Sequence, residues 1–258
     1  VGGQGTRIGG GYLYGNYIVG QNFADLGLDG YTQIAGLKAS HPLIKRKNQN
    51  VDILFGWDNK FTKNFILDQE RSIDKLDVLY ATVSFDNLDR FLGKNIFSAS
   101  LSLGEVARDD QIATSRIDSN RHYERFNASY ARVQKMFGYT NLFLRAAGQY
   151  SNDRLLPIEQ FVLGGYGTVR GYDPAQFLGD SGYTLTAELM LAPPYIAEST
   201  IKGYRVAELL QLAAFYDEGR IYLNEELPGE NRTQRLAGWG IGARFFYKDR
   251  FYFKYDVG

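Results

Sequence analysis

Polar and apolar residues alternate along almost the whole chain. In residues 182–191, for example, Leu185 and Leu189 share one parity, whereas Thr186 and Glu188 share the other. Successive side chains of a β-strand point to opposite faces, so this period of two predicts a strand with one apolar and one polar face.

The same period recurs along the chain, and we predict about eleven antiparallel strands and no amphipathic helix. The predicted strands are 6–15, 30–40, 50–58, 75–86, 94–104, 123–134, 141–150, 182–191, 209–217, 238–247 and 250–258. The alternation also places four charged residues on one side of the sheet, namely Arg145, Glu188, Asp217 and Arg244.

The connections between these strands fall into two length classes. Short ones include 136–138 and 248–250, and long polar ones are 59–74, 105–122, 151–181 and 220–234. Outer-membrane β-barrels have short periplasmic turns and long external loops, so this asymmetry favours a transmembrane barrel. A soluble antiparallel sandwich or barrel has the same strand period and remains open from periodicity alone.

Aromatic residues near the predicted strand ends favour the membrane alternative. Tyr and Phe, 19 and 17 in number, suit pleated surfaces, and Tyr also suits a membrane interface. Those we place in the interfacial girdles are Trp57, Tyr123, Tyr139, Tyr150, Tyr183, Tyr216, Tyr247 and Phe251.

Composition excludes several other classes of protein. Lys plus Arg and Asp plus Glu both number 29, so no basic excess indicates nucleic acid, and the absence of Cys excludes thiol chemistry and disulfides. Mean hydropathy is −0.31, and no apolar run approaches the roughly 18 to 20 residues of a membrane helix.

Nothing in the chain indicates catalysis, a cofactor or a small-molecule substrate. The histidines, His41 and His122, do not suggest a metal pair or a Ser-His dyad. Glu188 and Asp217 are explained by strand alternation and a nearby Arg without acid-base chemistry. We therefore expect no enzyme, no metal and no cofactor.

Residues 155–172 include the Gly-rich stretch 163–171, which lacks the Lys-Ser/Thr and the following helix of a phosphate loop. The segment resembles the signature loop of the two-partner secretion translocators, which are outer-membrane barrels of the same superfamily as the barrel-assembly insertase. In that family the loop carries a Val-Arg-Gly-Tyr or Val-Arg-Gly-Phe tetrad, here Val169, Arg170, Gly171 and Tyr172. A second motif, an aromatic residue, Asp and Gly at alternate positions, is matched by Phe215, Asp217 and Gly219.

Further stretches extend the resemblance over most of the chain. They are 40–43, 56–58, 97–104, 179–182 and 187–189. The resemblance implies a sixteen-stranded haemolysin-activator-like barrel in the outer membrane of a Gram-negative-type bacterium, in contact with lipid and lipopolysaccharide. It also implies that loop 151–181 folds back into the barrel lumen.

The function implied by the resemblance is two-partner (type V) secretion, the export of an unfolded partner exoprotein from periplasm to cell surface. Family members also carry periplasmic polypeptide-transport-associated domains, which residues 1–258 do not contain. We therefore expect these residues to be an incomplete barrel portion of a longer protein.

A loop threaded into a lumen needs an attachment, and Arg is suited to it. Its guanidinium forms a planar fork with a carboxylate that Lys cannot reproduce. Asp217 and Glu188 lie on the polar faces of two successive predicted strands after the loop, so we expect both to pair with Arg170. The loop glycines are expected to permit positive φ and close passage along the wall, and they are Gly164, Gly165, Gly167 and Gly171.

Three alternatives remain from the sequence. An assembly insertase and a patatin-linked autotransporter of the same superfamily carry similar barrels. A barrel lipase would be an enzyme, and it needs an activated Ser with a His on the outer rim.

Overall fold

The computed structural model describes residues 5–18, 28–107, 113–226, 229–247 and 250–258. Eleven strands form one antiparallel sheet in the order β1-β2-β3-β4-β5-β6-β7-β10-β13-β14-β15, and two separate strand pairs are β8-β9 and β11-β12. The strands are β1 Arg7–Ile18, β2 Leu28–Arg46, β3 Gln49–Ile66, β4 Gln69–Leu88, β5 Gly93–Ala107, β6 His122–Lys135, β7 Thr140–Tyr150, β8 Phe161–Leu163, β9 Phe177–Gly179, β10 Ser181–Leu191, β11 Thr200–Ile201, β12 Tyr204–Arg205, β13 Leu210–Tyr222, β14 Thr233–Tyr247 and β15 Phe251–Val257.

Among the described residues, helical structure is confined to short segments. A 3-10 turn spans Pro157–Glu159, and the helix α1 spans Val206–Leu209. Within the described ranges, no helix is long and apolar enough to cross a membrane. The prediction of eleven antiparallel strands without an amphipathic helix is confirmed, since each predicted strand corresponds to a strand of the large sheet.

The prediction of a long loop over residues 59–74 is wrong. β3 and β4 continue to Ile66 and from Gln69, and Leu67 and Asp68 alone connect them. Both connecting residues have positive φ, 49° and 61°, as the tight turns of hairpins with two-residue loops require. The polar residues of this segment belong to a hairpin, which explains why polarity alone suggested a loop.

The other predicted long connections all lie at the end of the sheet that carries the turn at Leu67 and Asp68. They are 151–180, 223–232 and 108–121, although 108–112 and 227–228 lie outside the described residues. At the opposite end, 47–48, 89–92 and 136–139 are short, whereas 192–209 is longer and carries β11, β12 and α1. In the predicted short turn 248–250, Lys248 and Asp249 lie outside the described residues.

The two faces of the sheet differ in an unusual way. Leu37, Trp57, Leu79 and Leu103 are consecutive cross-strand partners on β2 to β5, and they form one row of exposed apolar side chains. The opposite face carries buried charged residues, among them Glu188, Asp217 and Arg244. Apolar groups outside and charges inside reverse the arrangement of a soluble protein, so this surface fits a sheet whose outer face contacts lipid.

Three of the predicted girdle aromatics have other positions. Tyr123 is 3% exposed and packs on the inner face with Leu76 and Val106. Trp57 is on the outer face but lies in the middle of β3, because that strand extends beyond its predicted end. Tyr216 is likewise on the outer face but in the middle of β13. The five others lie at or near a strand end, so the wrong assignments follow from wrong strand bounds and, for Tyr123, from the wrong parity.

The sheet curves around the long loop 151–180. Glu159 of this loop contacts Lys60 on β3, and Arg170 of the same loop contacts Asp256 on β15. These two strands are eight positions apart in the sheet order, about 38 Å along a flat sheet at about 4.8 Å per strand. A single loop contacts both strands because the inner face wraps around it.

Leu101→Arg tests the assignment of the outer face. Leu101 is exposed on β5, and a cationic side chain facing lipid near the middle of a barrel strand costs about 2–4 kcal/mol. We expect the free energy of unfolding, measured by denaturant titration in lipid vesicles, to fall by about that amount. The matched control is Ser98→Arg on the inner face of the same strand, and an equal loss in both variants would contradict the assignment.

Candidate functional site

The loop 151–180 lies on the inner face and closes on itself. Its short strands β8 and β9 pair with each other, and Leu163 at the end of β8 packs with Val169, Ile221 and Leu236. Leu163 and Val169 are fully buried. Apolar contacts of Leu163 and Val169 therefore hold the part of the loop that leads to Arg170 against β13 and β14. We call residues 151–180 the lumen loop.

The tip of the lumen loop depends on glycine at particular positions. Gly164, Gly165 and Gly171 have φ values of 107°, 93° and 89°, which residues with a Cβ rarely adopt. A Cβ on Gly164 would also lie 2.5 Å from the carbonyl oxygen of Asp173. The prediction of positive φ and close passage is wrong for Gly167. This residue does not have a positive φ, and a Cβ there would meet no described heavy atom within 4 Å.

Arg170 forms ion pairs with three carboxylates of the surrounding sheet. Its Nε and Nη2 donate to the two carboxylate oxygens of Asp217 at 2.7 and 3.0 Å, which is the bidentate fork. Its Nη1 donates to Glu188 at 2.7 Å and to Asp256 at 3.1 Å. The structure thus brings together the three residues that the sequence singled out, and it adds Asp256.

The second motif presents all three of its positions to the loop. Phe215, Asp217 and Gly219 alternate along β13 and point inward. The guanidinium carbon of Arg170 lies 3.5 Å from the centroid of the Phe215 ring, a cation-π contact. A Cβ on Gly219 would lie 2.4 Å from Leu163 Cδ1, so Gly219 provides the space that this side chain fills.

The carboxylates around Arg170 have further basic partners. Arg244 donates to Glu188 at 2.7 Å and pairs with Asp256 at 2.5 Å, and Lys254 lies 3.3 Å from Asp256. Three acids and three bases therefore form one cluster with no net formal charge. We call it the tip cluster, and its members are Arg170, Glu188, Asp217, Arg244, Lys254 and Asp256.

Charge balance is what makes this cluster compatible with burial. Arg170, Glu188, Asp217 and Arg244 are between 1% and 7% exposed. Burial on its own would lower the pKa of Arg170, but hydrogen bonds to Asp217 and Glu188 outweigh it and raise the pKa above the ordinary value. The loop tip is therefore permanently cationic.

The other members of the tetrad hold the tip in place around Arg170. Val169 is fully buried and forms a β-bridge with Gly165. The hydroxyl of Tyr172 donates to the carbonyl of Ala237 on β14 at 2.9 Å. On the same strand, a Cβ on Gly238 would lie 2.8 Å from the Arg170 carbonyl oxygen, so the tip backbone passes directly over the wall.

The two ends of the lumen loop are tied at its base by Asp180. This fully buried carboxylate accepts hydrogen bonds from the backbone N–H of Leu155 at 2.9 Å and of Asn224 at 2.7 Å. Arg116 donates to it through Nη2 at 3.0 Å. Asp180 therefore joins the connections 108–121, 151–180 and 223–232.

A second buried acid of the loop, Glu159, contacts a different wall. Its Oε1 lies 2.6 Å from Lys60 Nζ on β3, and its Oε2 lies 2.6 Å from Arg125 Nη1 on β6. Sequence reasoning missed Glu159, Asp180 and Asp256. Asp256 had a detectable signal, because Lys254 and Asp256 alternate with Phe253 and Tyr255 on β15.

The histidines lie apart from these clusters. His41 Nδ1 is 2.9 Å from the hydroxyl of Thr6, and His122 is exposed at the start of β6. In the described part of the chain, no group of three or more His, Cys, Asp or Glu side chains is arranged to hold a metal ion.

An inner face with paired charges, an apolar outer face and a loop folded against the inner wall are together typical of the wall of a transmembrane β-barrel. The family profile described as haemolysin secretion/activation protein ShlB/FhaC/HecB matches residues 9–245. The chain belongs to this family. The predicted resemblance to the two-partner secretion family is thereby confirmed, as is a location in the outer membrane of a Gram-negative-type bacterium, and the eleven-stranded antiparallel sheet confirms the all-β fold class.

Individual relatives agree with the family assignment. The chain is 24% identical over 259 residues to the heme/hemopexin transporter protein HuxB of Haemophilus influenzae, covering 94% of this chain and 43% of HuxB. The solved structures of CdiB from Acinetobacter baumannii and from Escherichia coli each align with a TM-score of 0.72 at 18% identity. They cover 94% and 93% of this chain and 42% and 44% of theirs, so the chain spans less than half the length of these relatives.

Gly219→Ala tests whether the second motif accommodates the loop. The added methyl group would displace the fully buried Leu163, and overpacking of this kind costs about 1–3 kcal/mol. We expect a corresponding fall in the free energy of unfolding. Gly11→Ala on β1 is the control, because no described heavy atom lies within 4 Å of the Cβ position there. Equal stability of the two variants would refute the steric role of Gly219.

Proposed function

We propose that residues 1–258 are the pore-forming portion of a translocator that exports an unfolded partner exoprotein from the periplasm to the cell surface. The lumen loop occupies the pore and, through Arg170, organises or closes it. Passage of the client requires the loop or its contacts to rearrange. The process is transport and not catalysis, and the periplasmic domains that capture the client belong to a longer protein.

The observation that carries this proposal is the attachment of Arg170 to three wall carboxylates, Glu188, Asp217 and Asp256. The contacts are ionic and hydrogen-bonded and involve no covalent link, so a moving polypeptide can displace them. Family membership supports the export function, since the family description denotes secretion and activation of a haemolysin. The name of the HuxB relative likewise denotes a transporter.

Two features support the membrane contacts that belong to this function. The exposed apolar row on β2 to β5 suits the lipid interior of the outer membrane. Three of the long connections, 108–121, 151–180 and 223–232, lie at one end of the strands, where external loops of such barrels meet the lipopolysaccharide leaflet. The insertase and autotransporter alternatives share these features. The experiment below distinguishes them, because it measures the secretion of a separate partner exoprotein.

Arg170→Ala is the test of the loop attachment. Breaking a buried ion pair by removing one partner costs roughly 3–5 kcal/mol, so we expect secretion of the partner exoprotein to fall about tenfold or more. Secretion is measured in cells that produce the full-length protein, and it is normalised to the amount of folded barrel in the outer membrane. Arg170→Lys keeps the charge but loses the fork, and we expect an intermediate rate.

The control for this test is Arg235→Ala. Arg235 pairs with Glu218, and its side chain is about half exposed, away from the lumen loop. We expect this variant to secrete normally. Normal secretion by Arg170→Ala at an equal amount of folded barrel would show that the Arg170 attachment does not serve export.

A further inference from the structure

The first part of the lumen loop, residues 155–160, contacts a part of the sheet that the tip cluster does not reach. We call these residues the arm. Glu159 sits at the end of the 3-10 turn Pro157–Glu159, and it faces Lys60 and Arg125 on β3 and β6. The tip cluster, in contrast, draws its wall residues from β10, β13, β14 and β15. We call Lys60, Arg125 and Glu159 the arm triad.

The arm triad is a buried ionic contact. The Glu159 side chain is 0% exposed, while those of Lys60 and Arg125 are 12% and 17% exposed. Arg125 also donates to the backbone carbonyl of Glu159 at 3.0 Å, and Gln149 donates to the same oxygen at 2.9 Å. A charged side chain without solvent access is tolerated only when its partners remain in place.

Apolar packing reinforces the same contact. Leu155 and Leu156, just before the 3-10 turn, are 0% and 1% exposed. They pack against side chains of β4, β5 and β6, namely Leu76, Val78, Val106 and Tyr123. The arm therefore has its own ionic and apolar contacts with the β3 to β6 wall.

The two attachments have opposite polarity. At the tip, a basic loop residue enters a set of wall acids, whereas at the arm an acidic loop residue enters a pair of wall bases. The two clusters share no residue, so a change at one leaves the ion pairs of the other intact. Contacts that share no partners contribute nearly additively to stability.

We propose that Glu159 is a positioning residue that fixes the arm of the lumen loop to the β3 to β6 wall independently of Arg170. The tip can then leave the β10 to β15 side while the arm stays in place, and space opens along one side of the pore. This inference refines the proposed function, on which it rests for the role of the loop, but its test needs no client.

Two cysteine reporters make the two attachments measurable separately. The 258 residues contain no cysteine, so Leu156→Cys reports on the arm and Val169→Cys on the tip once any cysteine elsewhere in the full-length protein has been replaced by serine. Both positions are at most 1% exposed. The measurement is the rate at which a membrane-impermeant maleimide labels each reporter in folded barrels.

Glu159→Gln leaves Lys60 and Arg125 without a charged partner. We expect it to raise the labelling rate of Leu156→Cys about tenfold or more and to leave Val169→Cys nearly unchanged. Arg170→Ala should have the reverse effect, and the double variant should raise both rates. Glu218→Gln, which removes the acid of an ion pair with Arg235 outside the lumen, is the matched control and should change neither.

The triple charge reversal Glu159→Arg, Lys60→Glu and Arg125→Glu separates the ion pairs from a general structural role. The reversal keeps both ion pairs of the arm triad with their polarity inverted, so we expect the slow labelling of the parent to return. Labelling as fast as in Glu159→Gln would show that ion pairing is not the cause.

Two other results would overturn the inference. An unchanged rate of Leu156→Cys in Glu159→Gln would show that Glu159 does not hold the arm. Equal acceleration of both reporters would show that the two attachments are not independent. Normal secretion by Arg170→Ala together with the expected labelling pattern would instead refute the proposed function and leave this inference standing.

Discussion

The structure depends on one constraint, which is that charges enclosed by a curved sheet must be balanced where they lie. Arg170 enters a wall of acids, and each of its charged contacts is also a hydrogen bond. The three acids have two further bases, so the tip cluster has no net formal charge. Without Arg170, buried Asp217 would lose a bidentate partner, whereas Glu188 and Asp256 would keep Arg244. This difference makes Asp217 the acid most dependent on the loop.

Antiparallel pairing explains why the acids converge. Asp217 is the cross-strand partner of Thr186, and Glu188 is the partner of Phe215, so the two carboxylates lie on one face two residues apart in height. A single planar guanidinium can span that offset because its donors point in different directions. The alternation that creates the apolar outer face thus also builds the site.

The sequence predicted those parts of the site that follow from local rules. The period of two assigned Glu188 and Asp217 to the polar face, and the tetrad identified Arg170 as their partner. Glu159 was not predicted, because its partners lie on β3 and β6 and nothing local specifies which wall the arm contacts. The hairpin at Leu67 and Asp68 was missed for a different reason, since strands that extend beyond the lipid carry polar side chains on both faces.

The attachment at Asp180 limits how the loop can move. Asp180 accepts from the backbone of Leu155, so the start and the end of the loop are held together at its base, and Arg116 ties this base to a neighbouring connection. Motion of the loop is therefore restricted to the residues between 155 and 180. Within that range the Glu159 contact divides the loop into an arm on one wall and a tip on the other. Because the tip beyond Gly164 turns through glycine backbone, it is the part that can move without breaking the base or the arm.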